Sequence, residues 1–166
     1  MKTVRLMTAL AISMVLLVSA VDAFGQGKSA DKKAAKQDMK QLNKEAKKVG
    51  SKADQAADEL GRNVVFCILA AHTTDVGTAQ ELRDKFNALS DFPFGQFVAA
   101  VLLADRIDMS LDDIIAKLIG GMSIGQIARE ADVNMGEIRS HFGEFRSELA
   151  RSLTNPPTKN CFASAP

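Results

Sequence analysis

The chain has no tryptophan and no tyrosine, and only two cysteines, two histidines and four prolines in 166 residues. Tyr and Trp join an apolar body to a polar tip that serves recognition surfaces, so their absence weighs against a carbohydrate- or peptide-recognition groove. Nine phenylalanines are left to pack. With two imidazoles the chemistry is narrow. There is no C-x-x-C-H for haem, no H-E-x-x-H, no phosphate-cradling glycine loop and no G-x-S-x-G. His72 and His141 read as structural residues, with no metal ligands and no cofactor expected, and an enzyme is not expected.

Long apolar runs are also scarce, and the single one lies at the start. Lys2 and Arg5 precede an uncharged stretch from Leu6 to Val21, and Val21-Asp22-Ala23 offers a small-residue cleavage site. This is the pattern of a secretory signal peptide over 1–23. A membrane span needs about 20 apolar residues, and this run gives way at Asp22 to a polar, lysine-rich segment. The expectation is cleavage near Ala23, a periplasmic or secreted product, and no transmembrane anchor after processing.

The near-neutral overall balance hides a division. Between Lys28 and Lys52 stand nine lysines and three acids, a net of +6, whereas from Ala53 onward ten basic residues face sixteen acidic ones, a net of −6. The sequence therefore divides into a basic arm at 24–60, an acidic domain at 61–154 and a tail at 155–166. Lys32, Lys33, Lys36, Lys40, Lys44, Lys47 and Lys48 are the candidate contacts for an anionic partner, either an envelope surface or an acidic protein. A second copy of the chain would also present an acidic face, so self-association is a further option.

Within the arm, Ala35, Met39, Leu42, Ala46, Val49, Ala53, Ala56 and Leu60 alternate steps of four and three, a heptad seam. The seam is thin, half of it alanine, and Gly50 interrupts it. It reads either as an amphipathic helix that docks on headgroups, a partner or another copy, or as a solvated, partly helical spacer.

From Asn63 onward short helices are expected. Four N-terminal capping patterns mark starts: Thr78 with Glu81, Ser110 with Asp113, Ser123 with Gln126, and Asn134 with Glu137. Each precedes an apolar stripe at helical spacing. Asn63 to His72 and Phe94 to Ala104 are apolar nearly all round, which places them centrally. Gly120-Gly121 and Asn155-Pro156-Pro157 are stops. No segment has a period of two. The predicted class is all-α, a compact bundle of about six short helices preceded by the lysine/alanine-rich amphipathic arm.

Cys67 and Cys161 form an even pair. In an oxidising compartment they read first as a disulfide; the alternative is a buried thiol at Cys67 and an unrelated tail residue. Asp105, Asp108, Asp112 and Asp113 with Ser110 lack the spacing and glycine of a calcium loop and read better as helix-start acids.

Ser123 to Phe142, S-I-G-Q-I-A-R-E-A-D-V-N-M-G-E-I-R-S-H-F, resembles the helix-turn-helix of tetracycline-repressor-type regulators over about 30 residues. Ile127, Ala128, Ala131, Val133, Ile138, His141, Phe142 and Leu149 fall at that family's packing positions, and Asp132 replaces its usual turn glycine. The resemblance implies a helix-turn-helix packing unit whose second helix ends at the aromatic and gives way to another helix. The implied functional alternative is a DNA-binding regulator held at the membrane by an uncleaved N-terminal segment. The residues argue against nucleic acid: among Asn134, Met135, Gly136, Glu137, Arg139 and Ser140 only Arg139 is cationic, and DNA affinity is mostly neutralised phosphate.

Overall fold

The segment least able to face water sets the architecture. Phe94–Ala104 forms a helix in which Phe94, Gly95 and every residue from Phe97 to Leu103 are buried. Such a helix must be enclosed by others. The computed structural model describes residues 23–157 and 161–164, with side chains from Lys32 to Pro157 and at Cys161 and Phe162. The apolar leader at 1–22 lies outside the described residues.

Among the described residues seven α-helices follow in order: α1 Ala23–Leu60, α2 Arg62–His72, α3 Ala79–Asn87, α4 Phe94–Ala104, α5 Leu111–Ile119, α6 Ile124–Glu130 and α7 Met135–Thr154, with a 3₁₀ turn at Cys161–Ser164. Among the described residues there is no strand, and no helix is long and apolar enough to cross a membrane. The all-α class expected from the sequence is what the chain adopts.

The chain divides into two compact units, 1–37 and 38–166. The first holds the opening turns of α1, with Lys32, Lys33 and Lys36 exposed. The second begins at Asp38, inside the segment that composition alone assigns to the arm, whereas the charge division falls between Lys52 and Ala53. The reason is the seam itself: Leu42, Val49, Ala53 and Ala56 are fully buried and Ala46 nearly so. A stripe of alanines buries little area, but it lets another helix come close. At Gly50 the approach is backbone to backbone: a Cβ built on Gly95 of α4 would lie 2.5 Å from the Gly50 carbonyl oxygen. The glycine that interrupts the seam is therefore the crossing point.

Polar side chains of α1 lock these crossings. Pro93 precedes α4 and offers no side-chain cap; Asp54 of α1 replaces it, its Oδ1 accepting from the Gly95 amide at 2.9 Å. At α6 the Asn43 Oδ1 accepts from the Gly125 amide at 2.8 Å, and its Nδ2 donates to Ser123 Oγ at 3.3 Å. The bonds to the Gly95 and Gly125 amides each satisfy a helix-start group that would otherwise lack a partner.

The sequence-marked starts are present. Thr78 and Ser123 form full capping boxes, Ser110 accepts from the Asp113 amide, and Asn134 accepts from the Gly136 amide instead of the N3 amide. Where α2, α3 and α4 meet, Phe66, Phe86, Phe94 and Phe97 pack largely edge to face with centroids 5.2 to 6.2 Å apart. Each buried ring contributes about 1.5–3 kcal/mol. The other half of the core joins Ile114 and Leu118 of α5, Ile127 of α6, and Ile138, Phe142, Phe145 and Leu149 of α7.

Candidate functional site

With the apolar stripe of α1 turned inward, its lysines must point the other way. All seven candidate lysines, Lys32, Lys33, Lys36, Lys40, Lys44, Lys47 and Lys48, are exposed. Within the second unit, Lys44, Lys47 and Lys48 are joined by Lys52 and by Arg146 of α7 around an open groove of about 730 Å³, with Ser51, Gln55 and Ser147 as further polar lining.

One carboxylate serves this groove directly. Glu45 accepts from Lys48 Nζ and from Arg146 Nη1, each at 2.7 Å. The Lys48 hydrogen bond, opposed by partial burial and aided by Arg146, holds the Glu45 carboxyl below the usual carboxylate range. Lys52 donates to Gln55 at 2.9 Å. Lys44 and Lys47 make no ion pair among the described residues. The groove thus offers five cationic side chains, two of them paired with Glu45 and two lysines uncommitted. Lys40 lies exposed on the same helix but does not line the groove. The sequence left out Lys52, which continues the i, i+4 row from Lys44 and Lys48, and gave no signal for Arg146, which the α1/α7 packing delivers.

The helix-turn-helix-like segment forms α6 and the first part of α7. Ile127, Ala128, Ile138, His141, Phe142 and Leu149 are buried, and Asp132 takes the left-handed conformation, φ 52°, at the turn-glycine position. Two features depart from the resemblance. First, α7 continues without a break through Phe142 to Thr154. Second, α1 occupies the neighbouring surface: a Cβ on Gly125 would stand 2.7 Å from the Met39 carbonyl oxygen, and Arg139 bonds to Gln41 and lies 3.7 Å from Asp38.

Cys67 and Cys161 form a disulfide, with Cα atoms 5.8 Å apart and the two residues 94 positions apart in sequence. It fastens the terminal 3₁₀ turn to α2. The adjoining Phe162 packs against the core and lies under the Arg83 guanidinium, 4.5 Å from the ring centroid.

The members of the acidic cluster take separate partners. Asp112 pairs with Lys85, Asp113 accepts from Ser110 Oγ, and Asp105 turns inward, its side chain only 3% exposed. Asp105 Oδ1 accepts from the Thr74 amide at 2.7 Å, and Oδ2 lies 3.3 Å from His141 Nε2, without hydrogen-bond geometry.

Around it lies a histidine pair that the sequence concealed. His72, at the end of α2, and His141, in the middle of α7, stack with centroids 4.7 Å apart. His72 Nδ1 meets Glu148 Oε2 at 2.9 Å, and His141 Nδ1 meets Arg106 Nη2 at 2.9 Å. The Nε2 atoms of both rings and Asp105 Oδ2 are buried without a hydrogen-bond partner. Burial, reinforced by Arg106 and His72 and opposed by Asp105 and Glu144, lowers His141 from 6.5 to about 4, so the ring is neutral at physiological pH. Glu144 stands near both rings, and ligand atoms of His72, His141 and Glu144 all lie within 4.8 Å of one another. The two histidines are 69 positions apart in sequence, beyond any local motif; only His141 and Glu144, three apart on one helix, left a trace.

No protein-family model, no curated protein and no solved structure matches the chain.

Proposed function

We propose that this chain is an exported helical protein that acts as a binding or structural module of the cell envelope, with the lysine face of α1 contacting an anionic partner. The observation that carries the reading is the groove lined by Lys44, Lys47, Lys48, Lys52 and Arg146, of which only Lys48 and Arg146 are paired with a carboxylate, that of Glu45. Like charges held together on a rigid helix repel one another, and an arriving anion relieves that repulsion. The partner is the headgroup surface of an anionic membrane, an acidic envelope protein or the acidic face of a second copy. A disulfide between α2 and the tail suits an oxidising compartment and so supports export, as does the leader pattern at 1–23. Binding rather than catalysis is the role. The ties of Arg139 to Gln41 and Asp38 weigh against the DNA-binding alternative, because they occupy the single cation among the positions from Asn134 to Ser140 that would read bases.

Co-sedimentation with vesicles tests the membrane form. Retention on anionic vesicles is expected to fall steeply with salt, as screened surface charge requires, and Lys44→Glu with Lys47→Glu is expected to abolish it. Equal retention on neutral and anionic vesicles would remove lipid as the partner. For location, a reporter active only outside the cytoplasm, fused after Leu60, is expected to be active; an inactive fusion would refute export.

A further inference from the structure

We propose that His72, His141 and Glu144 form a binding site for a divalent transition-metal ion of the zinc class, with Glu148 as the supporting carboxylate. The sequence reading assigned no metal and treated both histidines as structural. The packed geometry places three ligands of two types together, with their donor atoms within 4.8 Å of one another. Two imidazole nitrogens and a carboxylate suit zinc, copper or nickel, whereas calcium and magnesium select all-oxygen shells.

Independent observations point the same way. His141 is 3% exposed, and its Nε2 has no hydrogen-bond partner; neither has the buried Nε2 of His72. Buried polar atoms are nearly always satisfied, so the orphan Nε2 of His72 calls for something that accepts its lone pair, whereas Arg106 donates to His141 Nδ1 and so leaves the proton of that ring on Nε2, 3.3 Å from Asp105 Oδ2. For His72 the support is already in place. Glu148 Oε2 lies 2.9 Å from Nδ1, so Nδ1 carries the proton and Nε2 is left as the free donor. This is the carboxylate–histidine–metal arrangement that orients ligands in metal sites. An entry path exists as well: His72, Glu144 and Glu148 line an open surface groove of about 650 Å³ with Ser140, Gly143 and Ser147, and Arg146 and Arg151 on its wall oppose a cation there.

Two adjustments are needed. Zinc bonds of about 2.0–2.1 Å to nitrogen place tetrahedral ligands about 3.3 Å apart, so the cluster must contract, and the exposed Glu144 is the side chain free to swing inward. Arg106 opposes the ion and holds His141 Nδ1; being 45% exposed and already 3.4 Å from Asp105 Oδ2, it can leave the ring for that carboxylate. His141 then carries its proton on Nδ1 and presents Nε2. Three protein ligands leave a fourth position facing the groove for water or a small anion. Both cysteines are in the disulfide and contribute no ligand.

Zinc is the probe, titrated calorimetrically into the intact oxidised protein without a histidine tag. One equivalent is expected to bind and to raise the melting temperature, while calcium gives no saturable heat. His72→Gln and Glu144→Gln each remove a ligand and are expected to weaken binding by at least about 100-fold and about 10-fold; Glu148→Gln weakens it by about 10–100-fold through the orientation of His72. Circular dichroism reports whether each variant folds. If His72→Gln does not, the exposed Glu144→Gln carries the test. No saturable binding below millimolar zinc, unchanged affinity in the folded variants, or calcium binding as tight as zinc would each overturn the site.

Discussion

Adding one methyl group at Gly95 should unseat α1 from the body. An alanine Cβ there would stand 2.5 Å from the Gly50 carbonyl oxygen, 2.7 Å from the Gly50 carbonyl carbon and 2.8 Å from Asp54 Oδ2. Two of these atoms are backbone and cannot rotate away. Normal contact needs about 3.5 Å, so α1 must retreat by about 1 Å along the crossing. Overpacking of this kind costs about 1–3 kcal/mol. The retreat also stretches the 2.9 Å bond from the Gly95 amide to Asp54, and a hydrogen bond to a charged acceptor is worth about 1.5–3 kcal/mol. The higher helix preference of alanine returns at most about 1 kcal/mol. The net expectation for Gly95→Ala is a loss of about 2–4 kcal/mol. Gly143→Ala is the matched control: it lies inside α7, nothing stands within 4 Å of its added Cβ, and it should stabilise by about 0.5–1 kcal/mol. Urea unfolding followed by far-ultraviolet circular dichroism measures both. Limited trypsin digestion at Lys44, Lys47 and Lys48 should accelerate in Gly95→Ala if the helix lifts locally before the body unfolds. A Gly95→Ala protein as stable as the parent, with unchanged digestion, would refute the close crossing and the inclusion of α1 in the folded unit.

Two further outcomes follow from features away from that crossing. Reducing the Cys67–Cys161 bond, which closes a span of 94 positions, should lower stability by about 4–5 kcal/mol by the chain-entropy relation; denaturant midpoints with and without reductant check it, and coincident midpoints would show that the tail contributes nothing. In chelator-containing buffer, the His141 contribution should be intact above pH 6.5, where neither state protonates the ring, and should be lost as pH falls toward about 4, because the unfolded chain takes up the proton first. The full loss is about 3 kcal/mol, read as the difference between parent and His141→Gln profiles; parallel profiles across that window would contradict the buried, neutral ring.

The local signals in the sequence carried the second unit well because helix starts and stops are written within a few residues. The stretch Phe94 to Ala104 could be delimited from its apolar character and the preceding Phe92-Pro93, and Asn155-Pro156-Pro157 ends α7 where proline must. The arm was harder for a physical reason. A thin stripe of alanine with a glycine in it offers little area, and area was the only quantity visible; the benefit lies in how closely Gly50 and Gly95 approach, which exists only between two elements. Asn43 and Asp54 likewise look like ordinary surface residues of a helix, and their capping of α6 and α4 spans 82 and 41 positions. The lysine candidates could be read because charge runs are local, yet Arg146 enters the groove only through packing. The histidine pair was hidden for the same reason, and Asp105, grouped by sequence with other acids, belongs with His141 instead.

Helix α4 has no side that meets solvent from Phe97 to Leu103. Its amides can trade hydrogen for deuterium only when the surrounding helices part, an event as costly as unfolding the whole body. Mass uptake by a peptide spanning Val98 to Leu103 therefore serves as a built-in gauge: a bound ion or anionic surface that strengthens the body will slow isotope incorporation there, even when it binds on the far side of the molecule.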